Sequence, residues 1–245
     1  MATSTATTTN TTTTFKPALI VVDMQEDFCP PNGTLAVPSA RALTPTINTL
    51  LALPFALKIA TQDWHPINST TFAQSHLPPD NIPFVTKRQI PNPFSPSQYL
   101  PTTLWPVHCI QETPGASIIP EINSSAFDLI VKKGMDKRVE QYSAFGDIFG
   151  NKNVPEGVSL DLGRYLEGEG VSHVFLVGVA GDLCVRYSAV DARKEGFETV
   201  VVKEGIACVD EGDAGWGETK RELEEVGVKV VGVEGEEVGR VRALA

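Results

Sequence analysis

Five side chains of reactive type, Asp23, Asp63, His65, Lys133 and Cys184, stand at or just past the ends of short apolar runs in this sequence. Cys184 falls at the start of a predicted helix, where the helix dipole favours a thiolate and makes a nucleophile of a group that is otherwise a small apolar residue. A strand-end carboxylate such as Asp23 is a proton acceptor within reach of such a thiol, although its commonest use is a turn or a helix cap. In Asp63-Trp64-His65 a carboxylate and an imidazole two residues apart project to the same face of an extended segment, so both can meet one cation. His108 becomes a third ligand if the intervening chain folds back. Asp-x-His alone is a weak metal signal. Cys109 adjoins His108, but neighbours on extended chain point apart, so that pair is not itself catalytic. Cys29 and Cys208 have no activator nearby in sequence, and His173, just before an apolar run, reads as structural.

These residues need a scaffold that presents them along one edge. The runs at 18–22, 56–60, 127–131, 174–179, 199–202 and 228–233 are short, apolar and rich in β-branched residues, which suits strands buried on both faces. Between them lie helical patterns. Leu43, Ile47, Leu50 and Leu51 share one face of a helix that Pro45 starts or kinks, and residues 183–195 and 217–226 form two more. Strands alternating with helices predict a doubly wound α/β fold: a mostly parallel six-stranded sheet, helices on both faces, right-handed crossovers, one domain. Ligands bind such sheets beyond the carboxyl ends of the strands, which is where the five residues fall. The stretch 65–107 is dense in Pro, Asn and Ser and reads as a lid or site-lining excursion. Residues 1–14, nearly all Thr, Ala and Ser, are expected to form a disordered tail ahead of a domain spanning 15–245.

Composition narrows the function. A net charge of −10 over 245 residues, with only short basic pairs such as Lys87-Arg88 and Lys132-Lys133, argues against nucleic acid. No apolar run approaches the roughly 18–20 residues that span a membrane. Four scattered cysteines without a CxxC pair resemble neither a disulfide framework nor a zinc knuckle. The start of the chain has no signal or transit pattern, so the protein is expected inside the cell, in the cytoplasm with the nucleus also open to it. GxGxxG, GxxxxGK[ST] and GxSxG are all absent, which disfavours dinucleotide dehydrogenases, nucleotide hydrolases and serine hydrolases.

The segment Ala18-Leu-Ile-Val-Val-Asp-Met-Gln-Glu-Asp-Phe28 resembles the opening signature of isochorismatase-like hydrolases. Thr61-Gln-Asp-Trp-His-Pro66, Leu104-Trp-Pro-Val-His-Cys109 and Gln141-Tyr-Ser-Ala-Phe145 resemble the nicotinamidase branch of that family, especially its fungal type. Val177-Gly-Val-Ala-Gly-Asp-Leu-Cys-Val185 resembles its nucleophile motif. The likeness runs from about residue 19 to 233 in five ordered motifs.

That resemblance implies a metal-dependent amide hydrolysis of nicotinamide to nicotinic acid and ammonia. It implies Cys184 as nucleophile, Asp23 as acid and base, and Lys133 as the third catalytic member. Asp63, His65 and His108 are implied as ligands of Zn2+, with iron or manganese also open. A cis peptide is implied between Val179 and Ala180, turning the N–H groups of Ala180 and Cys184 toward one oxyanion. Phe28, Trp105 and Tyr142 match pocket-lining positions. Where some relatives place a further histidine, this chain has Asn68 and Ser69, which leaves Ser69 and His76 as alternatives near the metal. Two other readings compete: a metal-free relative acting on a carbamoyl or ureido substrate, and a non-catalytic binding module. A homo-oligomer is left open.

Overall fold

The computed structural model describes residues 14–245. Residues 1–13 of the expected tail lie outside the described residues; Thr14, its last residue, accepts a hydrogen bond from Ser172 Oγ at 2.9 Å through its carbonyl.

Six parallel strands form the central sheet: β1 (Pro17–Val22), β2 (Leu57–Asp63), β5 (Leu129–Lys133), β6 (His173–Val179), β7 (Glu198–Ala207) and β8 (Lys229–Val231), in the order β5-β2-β1-β6-β7-β8. Side chains alternate across each strand and sort the core into two layers. Leu19 and Val21 of β1 face a layer with Ile47, Leu50 and Leu51 of α1 (Thr44–Leu51) and Val238 and Val241 of α5 (Glu236–Arg242). Ala18, Ile20 and Val22 face the other layer. There they meet Leu162 and Leu166 of α2 (Leu162–Gly168), Ala189 and Ala192 of α3 (Arg186–Lys194), and Leu223 of α4 (Glu218–Glu225). The fold is the expected doubly wound α/β sheet with helices on both faces, and every pairing within this central sheet is parallel. Pro45 sits in the first turn of α1, where its missing N–H has no intrahelical partner to lose.

The strands lead outward from β1 in one direction and from β6 in the other, so the order reverses between β1 and β6. A crevice opens at that switch point, beyond the carboxyl ends of both strands. Three strands run further than their apolar runs: β2 to Asp63, β5 to Lys133 and β7 to Ala207. In the first two, polar residues continue the ladder, with Asp63 opposite Lys133 in register. Both are buried, so hydrophobicity alone ends these strands too early.

The excursion contains a two-stranded antiparallel hairpin, β3 (Lys87–Asn92) and β4 (Ser95–Thr103), apart from the main sheet. Its prolines, Pro91, Pro96 and Pro101, conceal it in sequence because proline demotes a run as strand, yet a two-stranded ribbon has open edges that tolerate it. Two short helices also escape the sequence reading. α2 is capped by Asp161, whose side chain accepts from Arg164 N, and α5 carries acids in its first turn and arginines in its last. Both follow capping and dipole rules but are too short for a periodic signal. Among the described residues, no helix is long and apolar enough to cross a membrane.

Candidate active site

Val22 hands the chain to Asp23, which takes φ +50°, a left-handed turn that non-glycine residues seldom adopt. Thr61 of β2 braces it: the Asp23 N–H donates to Thr61 Oγ1 at 3.1 Å, and the Thr61 hydroxyl donates to Asp23 Oδ1 at 2.6 Å. The carboxylate is fully buried, and burial raises its pKa against the pull of Lys133. Lys133 Nζ stands 2.9 Å from Asp23 Oδ2, donates to Asp63 Oδ1, and lies 3.6 Å from Cys184 Sγ. Burial disfavours the ammonium, but Asp23, Asp63 and Cys184 together hold its pKa well above the usual lysine range. Its neighbour Lys132 faces away, with Nζ 3.7 Å above the Trp64 ring.

Cys184 lies in a wide π-type turn, Gly181–Val185, which runs directly into α3. The expected helix over 183–195 therefore begins two residues earlier, as a looser turn, and Cys184 sits inside it. A cis peptide joins Val179 to Ala180 just before it. The Ala180 carbonyl accepts from the N–H groups of Leu183 and Val185, each at 3.0 Å. Burial pushes the Cys184 thiol well up, with Lys133 pulling the other way. The Asp23 and Asp63 carboxylates and the thiol all lie within 4.8 Å of one another.

Asp63, His65 and His108 form a second group whose donor atoms also fall within 4.8 Å. Each imidazole is oriented from behind: His65 Nδ1 contacts the Gly134 carbonyl at 2.9 Å and His108 Nδ1 the Pro106 carbonyl at 2.7 Å. A carbonyl only accepts, so both Nδ1 atoms carry a proton, and the Nε2 atoms are the ones that, once unprotonated, can bind a cation. Those Nε2 atoms lie 3.5 and 3.9 Å from Asp63 Oδ2. Donors about 2.0–2.1 Å from a shared tetrahedral zinc stand roughly 3.3 Å apart, so the spacing fits a metal. Burial and the neighbouring His65 hold His108 down to about 4. Burial likewise opposes charge on His65, but Asp63 outweighs it and raises the pKa. Burial also opposes the Asp63 anion, yet Lys133 and the histidines keep it ionised well below the usual carboxylate range. Gly134, at φ +69°, leaves no room for a side chain, since a β-carbon there would stand 2.5 Å from His65 Cε1.

Gln25 clamps Asp63 from β1's side. Its Nε2 donates to the Asp63 carbonyl at 2.8 Å, and its Oε1 accepts from the Asp63 N–H at 2.8 Å. Phe28, Trp105 and Tyr142 wall a pocket that Cys184 and His108 also line. Trp105 Nε1 donates to the Tyr142 hydroxyl at 3.0 Å, which fixes two of these walls against each other. The excursion thus lines the site through Trp105. Ser69 is buried and its hydroxyl pairs with Thr71 Oγ1 at 3.0 Å, while His76 Nε2 meets the Thr70 carbonyl at 2.7 Å. His76 is not part of the Asp-His-His group.

Sequence reasoning passed over Glu140, Thr61 and Gln25. Glu140 is buried in the pocket wall, and burial raises its carboxyl. It directly precedes the Gln141–Phe145 motif, the one signal that points to it. Thr61 and Gln25 lie within recognised motifs but work through neighbouring groups, which no residue type announces.

A family model described as an isochorismatase domain matches residues 17–234. A nicotinamidase of Acinetobacter baylyi is 38% identical over 193 residues, covering 79% of this chain and 82% of that relative. The structure of the yeast nicotinamidase bound to the inhibitor nicotinaldehyde superposes with a TM-score of 0.79 at 30% identity, covering 88% of this chain and 99% of its own. A pyrazinamidase of Pyrococcus horikoshii in complex with zinc superposes with a TM-score of 0.65 at 32% identity, covering 89% and 99%.

Proposed function

This chain belongs to the isochorismatase family, and on that premise we propose that it hydrolyses nicotinamide to nicotinic acid and ammonia through a thioester on Cys184. The reaction would recover the pyridine ring for NAD. One observation carries the proposal: Cys184, in contact with the Asp23–Lys133 pair, and Asp63 and His108 of the Asp-His-His set line a single pocket with aromatic walls.

In this reading Asp23 takes the thiol proton. Asp23 Oδ2, although in ion contact with Lys133, accepts no well-directed hydrogen bond among the described residues, and its raised pKa makes it the stronger base. Lys133, 3.6 Å from the sulfur, stabilises the thiolate as it attacks the carboxamide carbon and forms the C–S bond. The N–H groups of Ala180 and Cys184 receive the oxyanion. As the C–N bond breaks, Asp23 returns its proton to the leaving nitrogen, which departs as ammonia. Asp23 then deprotonates a water that attacks the thioester. The C–S bond breaks, and the thiolate recovers its proton from Asp23. Phe28, Trp105 and Tyr142 hold the ring and exclude bulk water.

Asp63, His65 and His108 would hold a divalent metal, zinc first, with iron and manganese compatible with the same donors. When bound, the metal supplies a Lewis-acidic site for the pyridine nitrogen. The test is ammonia release from nicotinamide, benzamide and a carbamoyl amide side by side. Rapid release from nicotinamide alone is expected, because benzamide lacks the ring nitrogen. Turnover of the carbamoyl amide by verified metal-free protein would instead support the metal-free reading.

A further inference from the structure

Of the three metal-ligand candidates, His108 has the least regular support. Asp63 ends a strand and His65 follows it closely, but His108 stands outside every strand and helix. Its neighbour Cys109 takes φ +45°, a conformation that a residue with a β-carbon adopts only when held. Two bonds hold it. The Cys109 carbonyl accepts from the His65 N–H at 2.9 Å, tying it to the second ligand. The Cys109 N–H donates to Asp27 Oδ2 at 2.7 Å. That N–H belongs to the peptide whose carbonyl carbon is His108's own, so whatever fixes it also fixes the plane from which the imidazole projects.

Asp27 sits on a single 3-10 turn, Glu26–Phe28, just after β1. The next residue, Phe28, rests its ring 5.4 Å from that of His108. The Asp27 carboxylate also packs against the chain at Gly115, where a β-carbon would stand 2.1 Å from Oδ2, the same oxygen that meets the Cys109 N–H. The carboxylate is therefore held against both the Gly115 backbone and the Cys109 amide. No step of the proposed reaction uses it.

We propose that Asp27 is a positioning residue of the metal site: its carboxylate pins the Cys109 peptide and so aims His108 Nε2 at the cation. The proposal rests on the metal reading above and is independent of the substrate. Residues that orient metal ligands typically change affinity by about 10–100-fold when removed. Asp27→Ala should weaken binding within that range. Asp27→Asn keeps a carbonyl oxygen for the same N–H and should stay within about threefold of wild type by that argument.

The experiment is competition for Zn2+ against a chromogenic chelator, on folded full-length protein checked by circular dichroism. The variants are Asp27→Ala, Asp27→Asn, His108→Ala and the Asp27→Ala/His108→Ala double. If Asp27 acts through His108, Asp27→Ala weakens binding in the wild-type background and changes nothing once His108 is gone. General loosening of the fold would weaken binding in both backgrounds, and that result overturns the proposal. Should Asp27→Ala fail to fold, Gly115→Ala carries the same test, because its methyl displaces the carboxylate. It should weaken zinc binding only while His108 is present, and unchanged affinity overturns the proposal. A wild-type protein that binds no zinc overturns the metal reading itself. Wild-type affinity in both Asp27→Ala and Gly115→Ala overturns the positioning role alone.

Discussion

Lys133 and Lys132 are adjacent on β5, and replacing each with alanine should give opposite results. Lys133 is fully buried against Asp23, Asp63 and Cys184. Without its ammonium, two carboxylates within 4.8 Å of each other lose the cation that they share. At an effective dielectric of about 20, two unit charges at that separation repel by about 3.5 kcal/mol, or roughly 2.5 pKa units. Asp23, already raised by burial, is raised further and becomes harder to ionise, and the thiolate loses the ammonium that stabilises it. Lys133→Ala should thus lose at least about 100-fold in turnover, the lower end of what a positioned acid–base group contributes. It should also lose about 3–5 kcal/mol of stability, the usual result of breaking a buried pair, less whatever protonation of Asp23 relieves.

The signs set the pH window. Lys133's folded pKa is raised, so its stabilisation is complete below the unfolded value of about 10.4 and disappears only as pH climbs through the folded one. Asp63's is depressed, so its share is present above about 3.9 and is lost as pH falls. The stability deficit should therefore persist between about pH 4 and 10, while residual activity rises with pH as Asp23 ionises. Lys132→Ala forfeits only a contact with Trp64 at 3.7 Å, worth about 0.5–1 kcal/mol, and should keep near-normal turnover. Ammonia release and urea unfolding of both variants, measured across pH, decide the matter. Full activity in Lys133→Ala beside an inactive Lys132→Ala would refute the reasoning.

Cys184→Ala should fold, bind metal and release no ammonia, while an electrophilic nicotinamide analogue adds its acyl mass to the Cys184 peptide of the wild type; acylation at Cys29, Cys109 or Cys208 would contradict the mechanism. Chelation should abolish nicotinamide turnover yet leave Cys184 reactive toward a small thiol reagent, because the Asp23–Lys133–Cys184 contacts involve no metal. Near pH 6, zinc binding should release about one proton from the ligand histidines: His65 is raised and still charged there, whereas His108, held to about 4, is already neutral. Calorimetry in buffers of differing ionisation enthalpy reads that number, and a release of two would show His108 protonated as well.

Much of the scaffold is legible in the chain because it rests on burial. Six apolar runs name six strands, and the repeat through Leu43, Ile47, Leu50 and Leu51 names a helix face, all four of its residues buried. The chemistry at the strand ends blurs the boundaries. Thr61, Gln62, Asp63 and Lys133 are polar and end an apolar run, yet all four are buried and the ladder continues through them. The site residues are recognisable by type and motif, but what orients them is not. Gln25 and Thr61 act through hydrogen bonds to residues 38 positions away, and Asp27 reaches 82 positions to Cys109. Such contacts exist only once the sheet order has formed. Ser69 and His76, the alternatives left near the metal where some relatives carry a histidine, each make a local hydrogen bond, to Thr71 Oγ1 and to the Thr70 carbonyl.

The division of labour on Asp63 links the two halves of the site. Its Oδ1 accepts from Lys133, and its Oδ2 faces both histidines. One carboxylate thus stands between the ammonium that serves the thiol and the donors that would hold the metal. Charge drawn toward the cation through Oδ2 is charge that Lys133 no longer has to balance through Oδ1. The ammonium is then left with Asp23 and the sulfur as its remaining anionic partners, at 2.9 and 3.6 Å. Metal loading should consequently lower the Cys184 pKa, since it weakens one competitor for the cation that stabilises the thiolate. The rate of thiol alkylation against pH, compared between metal-free and zinc-loaded protein, measures that shift directly. A profile that moves to higher pH on loading, or does not move, would mean that the two sets share a residue without sharing its charge.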